Sequence, residues 1–223
     1  MNKILLAAAL FLCVNSTFAS ETAVLKIKGT LTSSACTPEF SNGGVVDYGN
    51  IRLGELSSTA VNQLGQRNID LTITCTAATK VAWNLIDDRA DSNAGLTVSA
   101  GTFTGGAQSA NNQTYGVGKA GTVNIGSYAM FMKVNSVTAD GKSVDPIYQQ
   151  NGSTTWAKST DGSSQGENNR NITVALSGSV DPLAFQTATF PLVISLAIQN
   201  TTTLGITDDT RLDGQLTISL KYL

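Results

Sequence analysis

Apolar and polar residues alternate most regularly towards the end of the chain. From Arg211 to Leu223 one set of positions carries Leu212, Gly214, Leu216, Ile218, Leu220 and Tyr222. The other set carries Asp213, Gln215, Thr217, Ser219 and Lys221. A period of two over this length predicts a β-strand with one face in the core. The same period recurs upstream. Val24 to Thr32 sets Leu25, Ile27, Gly29 and Leu31 against Lys26, Lys28, Thr30 and Thr32, and is expected to be the first strand of the folded chain. Arg67 to Thr76 sets Ile69, Leu71, Ile73 and Cys75 against Asn68, Asp70, Thr72 and Thr74, which puts Cys75 on an inward face. Val81 to Ile86, Tyr128 to Val137, Ile172 to Val180 and Phe190 to Gln199 read as further strands, and Val45 to Gly49 as a short extended piece. Asn42-Gly43-Gly44, Asp87-Asp88-Arg89 and Asp140-Gly141 are turn signals.

No helical period runs beyond a turn or two. Glycines and small polar residues dilute the pattern elsewhere, so long loops are expected around residues 87–127 and 138–170. Pro38, Pro146 and Pro182 fall in connections, with Thr37-Pro38 expected to end regular pairing. Pro191 sits near the start of its strand, where a missing donor is tolerated. Strands separated by turns, without helices or a linker, predict one antiparallel β-sandwich. The final strand is expected to lack a neighbour behind it, and a strand from outside the chain could then supply one.

The first residues have a different character. Met1-Asn2-Lys3 is basic, Ile4 to Val14 is apolar, and Thr17-Phe18-Ala19 offers small residues. This order predicts a secretory signal peptide over residues 1–19, cleaved after Ala19 or Ser20, with a domain over residues 20–223. Cleavage removes Cys13 and leaves Cys36 and Cys75, and in an exported chain such a pair is most simply a disulfide. No second apolar stretch is long enough to span a bilayer in the mature chain.

Charge narrows the partners. Of 14 basic residues Lys3 leaves with the leader, so 13 face 16 acidic ones. That balance gives no reason to expect nucleic acid. The chain has no histidine, which removes imidazole as general base or metal ligand. With both mature cysteines in a disulfide, a thiol nucleophile or zinc site is not expected. Asp87, Asp88 and Asp91 read as a solvated turn around Arg89, without the ligand loop that calcium requires. No catalytic residue, metal or cofactor is assigned, and the chain is not expected to be an enzyme.

An alternating strand leading to Cys36, a second cysteine at Cys75 closing another strand, and a final strand with Tyr222 next to last form a recognisable order. This resembles the chaperone–usher fimbrial (pilin-like) subunits of Gram-negative bacteria. It looks more specifically like a group of fimbrial-type secreted proteins, through Ala35-Cys36-Thr37-Pro38, Gly43 to Gly49, Ile73-Thr74-Cys75 and Ile125 to Ala129. The resemblance implies an all-β, immunoglobulin-like sandwich of pilin type that lacks one strand. It implies an acceptor groove along Gly214, Leu216, Ile218, Leu220, Tyr222 and Leu223, filled first by a periplasmic chaperone. At an outer-membrane usher another fimbrial subunit would then donate its N-terminal strand. The site would be the periplasm, then the fimbrium or cell surface. Ala23, Leu25 and Ile27 are candidates to donate. With Ser20 to Val24 alone ahead of the first strand, the chain looks better equipped to accept a strand than to give one. The alternative is a self-contained exported binding sandwich, taking carbohydrate through Trp83, Trp156 and the 90–126 loops.

Overall fold

The computed structural model describes residues 25–29 and 35–223. The expected leader (residues 1–19), Ala23, and the remainder of the expected first strand, Val24 and residues 30–32, lie outside the described residues. The chain divides into two units, residues 1–33 and residues 34–223. In the first, residues 25–29 form no strand, and Leu25 and Ile27 are exposed. Over residues 25–29 this corrects the expectation of a strand from Val24 to Thr32. Alternation fits a segment to a sheet, but a strand exists only where neighbours take its backbone groups.

The second unit is a two-sheet antiparallel sandwich. Its strands are β1 (Cys36–Phe40), β2 (Asn62–Thr79), β3 (Val81–Asp87), β4 (Tyr115–Gly116), β5 (Lys119–Ala120), β6 (Val123–Asn124) and β7 (Gly126–Met132). They continue as β8 (Thr138–Ala139), β9 (Lys142–Ser143), β10 (Asp145–Gln150), β11 (Ala157–Lys158), β12 (Arg170–Ala175) and β13 (Phe185–Ile198). A single helical turn, α1 (Thr201–Leu204), precedes β14 (Leu216–Tyr222). One sheet runs β1-β2-β13-β7-β4, with the β8–β9 hairpin also paired to β13. The other runs β11-β10-β12-β3-β14, and β5 pairs with β6 as a separate hairpin.

The period-two faces meet between the sheets. Leu71, Ile73, Phe190 and Leu192 from one sheet pack against Val81, Trp83, Leu85, Ile172 and Val174 from the other. Trp83 lies edge-on to Phe190 with ring centroids 5.7 Å apart. Cys36 and Cys75 face each other in the β1–β2 ladder and form the expected disulfide. Cys36 opens β1, however, and does not close an earlier strand. Pro38 also lies inside β1, paired with Ile73. It is tolerated there because β1 is an edge strand and needs no outward donor.

Pro191 likewise falls within β13, a central strand, and not near its start. Its carbonyl accepts from Lys133 at 2.9 Å, so its ring nitrogen faces the side where β7 has just ended at Met132. Neighbours of β13 change there from β8, opposite Thr189, to β7, opposite Leu192. The missing N–H therefore breaks no ladder bond.

The long loops cover the sheets. Leu96 and Val98 pack with Ala129 and Ala197 on the face of the first sheet away from the main core. Gln63, Gln66 and Ser195 fix this loop by bonds to Thr97 and Ala100 carbonyls at 2.7–3.0 Å. Met132 donates to Gly162 at 2.8 Å and Ser164 to the Met130 carbonyl, so residues 162–164 run along the β7 edge. Buried Arg170 ties them to β12: it donates to Ser163 at 2.8 Å and lies 4.0 Å over the Tyr148 ring. Burial lowers its pKa.

Candidate functional site

The last strand of the chain is an edge strand. Through its whole length β14 pairs with β3, from Leu216 opposite Asp87 to Tyr222 opposite Val81. Among the described residues no strand pairs with its other side. The ladder fixes which backbone groups are free. Asp88 N–H donates to the Gln215 carbonyl, and Leu223 N–H to that of Lys80. An antiparallel ladder alternates, so odd-numbered residues of β14 bond to β3. The N–H and C=O of Leu216, Ile218, Leu220 and Tyr222 then point to the open side. The same residues point their side chains inward: Leu216, Ile218 and Leu220 are half-buried against the core. Free backbone and inward apolar side chains coincide on one strand, the arrangement that an added strand reads.

Beside this edge the sandwich is split by a groove of about 1380 Å³. Its floor is the inner face of the first sheet, with Ile69 from β2, Tyr128 and Met130 from β7, and Ile194, Leu196 and Ile198 from β13. One wall is residues 44–56, including Val45, Val46, Tyr48, Leu53 and Leu56, which form no strand. The other is residues 206–216, with Ile206, Leu212, Gly214 and Leu216. Of the residues expected in the groove, Gly214 and Leu216 are in its wall, while Ile218 and Leu220 continue the same face towards Tyr222. Tyr222 and Leu223 are about half exposed.

The two ends of this edge differ. At one, Cys36 N–H donates to the Tyr222 hydroxyl at 2.9 Å, joining β1 to β14 across the sheets. At the other, the approach to β14 is clamped. Arg89 forms a two-pronged ion pair with Asp213, at 2.9 and 3.3 Å, and Asp213 N–H donates to Val117 at 2.8 Å. Asp88 accepts from Thr217 at 2.7 Å and Gln215 at 3.1 Å. Close packing requires glycine twice here. A Cβ on Gly116 would lie 1.9 Å from the Arg89 carbonyl oxygen, and one on Gly214 would lie 2.9 Å from the Tyr128 ring.

Asp87 departs from the solvated turn expected of it. It is buried and accepts N–H bonds from Arg89 at 2.9 Å and Gly116 at 2.8 Å. Burial raises its pKa, opposed by those two amides. Tyr48, a groove-wall residue, donates its hydroxyl to the Ile194 carbonyl at 2.9 Å, and Arg67 lies 4.9 Å over its ring. Burial pushes its pKa up to about 12, against the pull of Arg67. Burial likewise raises the Tyr128 pKa on the groove floor. These phenols are neutral at ordinary pH, so the floor keeps its apolar character. Sequence reading missed the clamp because Asp213 lies 124 residues from Arg89 in the chain. The Tyr48 wall was visible only as an extended piece. Trp83, a candidate sugar platform, is fully buried under Phe190. Trp156 is half-buried next to the edge strand β11. Among the described residues no helix is long and apolar enough to cross a membrane.

Fold and site together define an antiparallel β-sandwich with one sheet edge open over an apolar groove. Comparison with known proteins adds a family to this class. The model of the family described as protein of unknown function (DUF1120) matches residues 25–129. The chain is 32% identical to the uncharacterized protein YhcF of Escherichia coli (strain K12), over 99% of this chain and 98% of that one. It is also 32% identical to the protein GltF of the same organism, over 89% of this chain and 87% of that one. The chain belongs to this DUF1120 family.

Proposed function

We propose that the chain is a structural or accessory subunit of a fimbrial-type surface assembly, exported to the periplasm. A periplasmic chaperone takes it up, and an outer-membrane usher joins it to other subunits by adding a strand beside β14. The observation that carries this reading is the free backbone edge of β14 above an open apolar groove. An incoming strand gains affinity from backbone hydrogen bonds and specificity from alternate side chains entering the groove. An open edge over apolar surface is an aggregation hazard in a protein that folds unaided, which is a reason for a dedicated chaperone. The disulfide agrees with an oxidising compartment. The role is assembly, not catalysis.

Co-expression of the full chain with a chaperone encoded beside it tests this. The chain is expected to co-purify with the chaperone. Ile218→Asp places a carboxylate on the inward face and is expected to abolish capture. Ser219→Asp, on the outward face, is expected to retain it and serves as the control for folding. Equal capture of both variants contradicts the reading.

A further inference from the structure

Residues 162–166, Gly-Ser-Ser-Gln-Gly, are all buried, yet none has an apolar side chain. They lie along β7, whose seven residues are buried on both faces. Tyr128, Met130 and Met132 join the main core, while Ala129 packs with Val98 and Ala197 on the other side. A polar segment laid over an apolar strand gains little from the hydrophobic effect. Hydrogen bonds hold it instead. Met132 N–H donates to the Gly162 carbonyl at 2.8 Å, and Ser163 pairs with Phe131 as an isolated bridge. Ser164 Oγ donates to the Met130 carbonyl at 2.7 Å and accepts from the Tyr115 hydroxyl at 2.8 Å. Gln150 Nε2 donates to Gln165 Oε1 at 2.6 Å. The approach is so close that a Cβ on Gly162 would lie 2.1 Å from the Met132 carbonyl oxygen.

Arg170 fastens this segment from the opposite sheet. Its Nη1 donates to the Ser163 carbonyl at 2.8 Å and to the Ser163 hydroxyl at 2.9 Å, and that hydroxyl donates to Asp161 at 3.0 Å. Arg170 is 8% exposed, its Nε has no hydrogen-bond partner, and among the described residues it forms no ion pair. A buried cation without a carboxylate partner costs stability. The contacts that offset this cost are those to Ser163 and to the Tyr148 ring.

Lys133 N–H donates to the Pro191 carbonyl, so odd-numbered residues of β7 bond to β13. Met130 and Met132 turn their backbone groups to the segment. Its departure would bare those groups without exposing any apolar side chain of its own, and units held in this way open at low cost. We propose that residues 161–166 are a strap that detaches as a unit, that Arg170 is its latch, and that the closed strap keeps β7 from pairing with a second copy of this chain. Open, it bares an edge between two apolar faces, a template for backbone pairing. Two such edges meet antiparallel about a two-fold axis at Phe131, so one patch serves both copies.

Residue-resolved amide hydrogen exchange of the full chain tests this in two variants. Arg170→Met keeps an apolar stem over Tyr148 and removes the latch. Gly162→Ala leaves Arg170 in place and wedges the strap away from Met132. In both, Met132 exchange in dilute solution is expected to rise at least about 10-fold, while Phe131, bonded to β13, is unchanged. Concentrating either variant about 50-fold is expected to slow Met132 exchange again by at least about 3-fold, as β7 of a second copy replaces the strap. Met132 exchange unchanged by Arg170→Met overturns the inference. So does a gain at Phe131 as large as at Met132 in both variants, because the sheet would then open with the strap. Met132 exchange that stays fast at high concentration overturns it as well.

Discussion

Asp87 ends β3 with its carboxylate buried against the Gly116 and Arg89 amides, below the start of β14. Several groups surround it. Asp88 and Glu167 push its pKa further up, and the neutral phenols of Tyr115 and Tyr128 lie near it. The raised pKa means that the folded state holds the proton more tightly than the unfolded chain. Ionising Asp87 therefore costs stability, and the cost grows as pH rises from the ordinary carboxylate value to the raised one. Asp91 and Asp145 act oppositely. Lys119 lowers the pKa of the first; the Gly178 amide and then Lys158 lower that of the second. Their contributions are present at neutral pH and fade as pH falls below the ordinary carboxylate value. Asp87→Asn removes the first effect and leaves the others. Relative to the natural chain, the variant is expected to gain stability as pH rises from 4 to 7, read by urea unfolding at each pH. A constant difference between the two across that range contradicts the assignment.

Between elements, the decisive joint is β1 with β2. β1 has five residues and, among the described residues, pairs with β2 alone, and the Cys36–Cys75 bond closes a loop of about 40 residues across it. In the chain-entropy model such a bond is worth about 4 kcal/mol. Cys36→Ser with Cys75→Ser is expected to lower unfolding free energy by about that amount, measured by urea denaturation, and to free Tyr222 from its β1 contact. A change below about 1 kcal/mol would mean that β1 holds without the bond. Much of this level is legible in sequence. The runs read as strands fall on β2, β3, β7, β12, β13 and β14; a period of two marks the single covered face of β2 and β14, whereas β7 and β12 are buried on both faces. The limits of these strands were less legible. β13 extends upstream through Pro191 because its neighbours change there, and β14 starts at Leu216 because the clamp holds residues before it in another path. Residues 25–29 alternate as a strand would, yet form none. Their pattern reports what a strand would bury, not whether this chain supplies the neighbour.

Across the whole molecule, edges are treated unequally. β7 is covered by β4 and residues 162–164, and β10 by β11. The glycine-rich stretches, expected as long loops, supply much of this cover, and no local pattern in sequence announces it. β14 keeps its free side, with the groove alongside. The strands β1, β4 and β11 that end the sheets elsewhere have five, two and two residues, so among the described residues the seven-residue β14 offers the longest edge for strand addition. The disulfide and the last strand were readable from residues alone, whereas the Asp88–Arg89–Asp213 clamp and the Tyr222–Cys36 bridge required three dimensions. The account rests on the open side of β14, and residue-resolved amide hydrogen exchange tests it most directly. In the chain alone, amides of Thr217, Ser219 and Lys221 are expected to be protected, and those of Ile218, Leu220 and Tyr222 to exchange freely. In the complex with the chaperone both sets are expected to be protected, the second by at least about 100-fold more than before, the mark of a newly paired strand. Equal protection of both sets in the chain alone, or no gain in the complex, would contradict it.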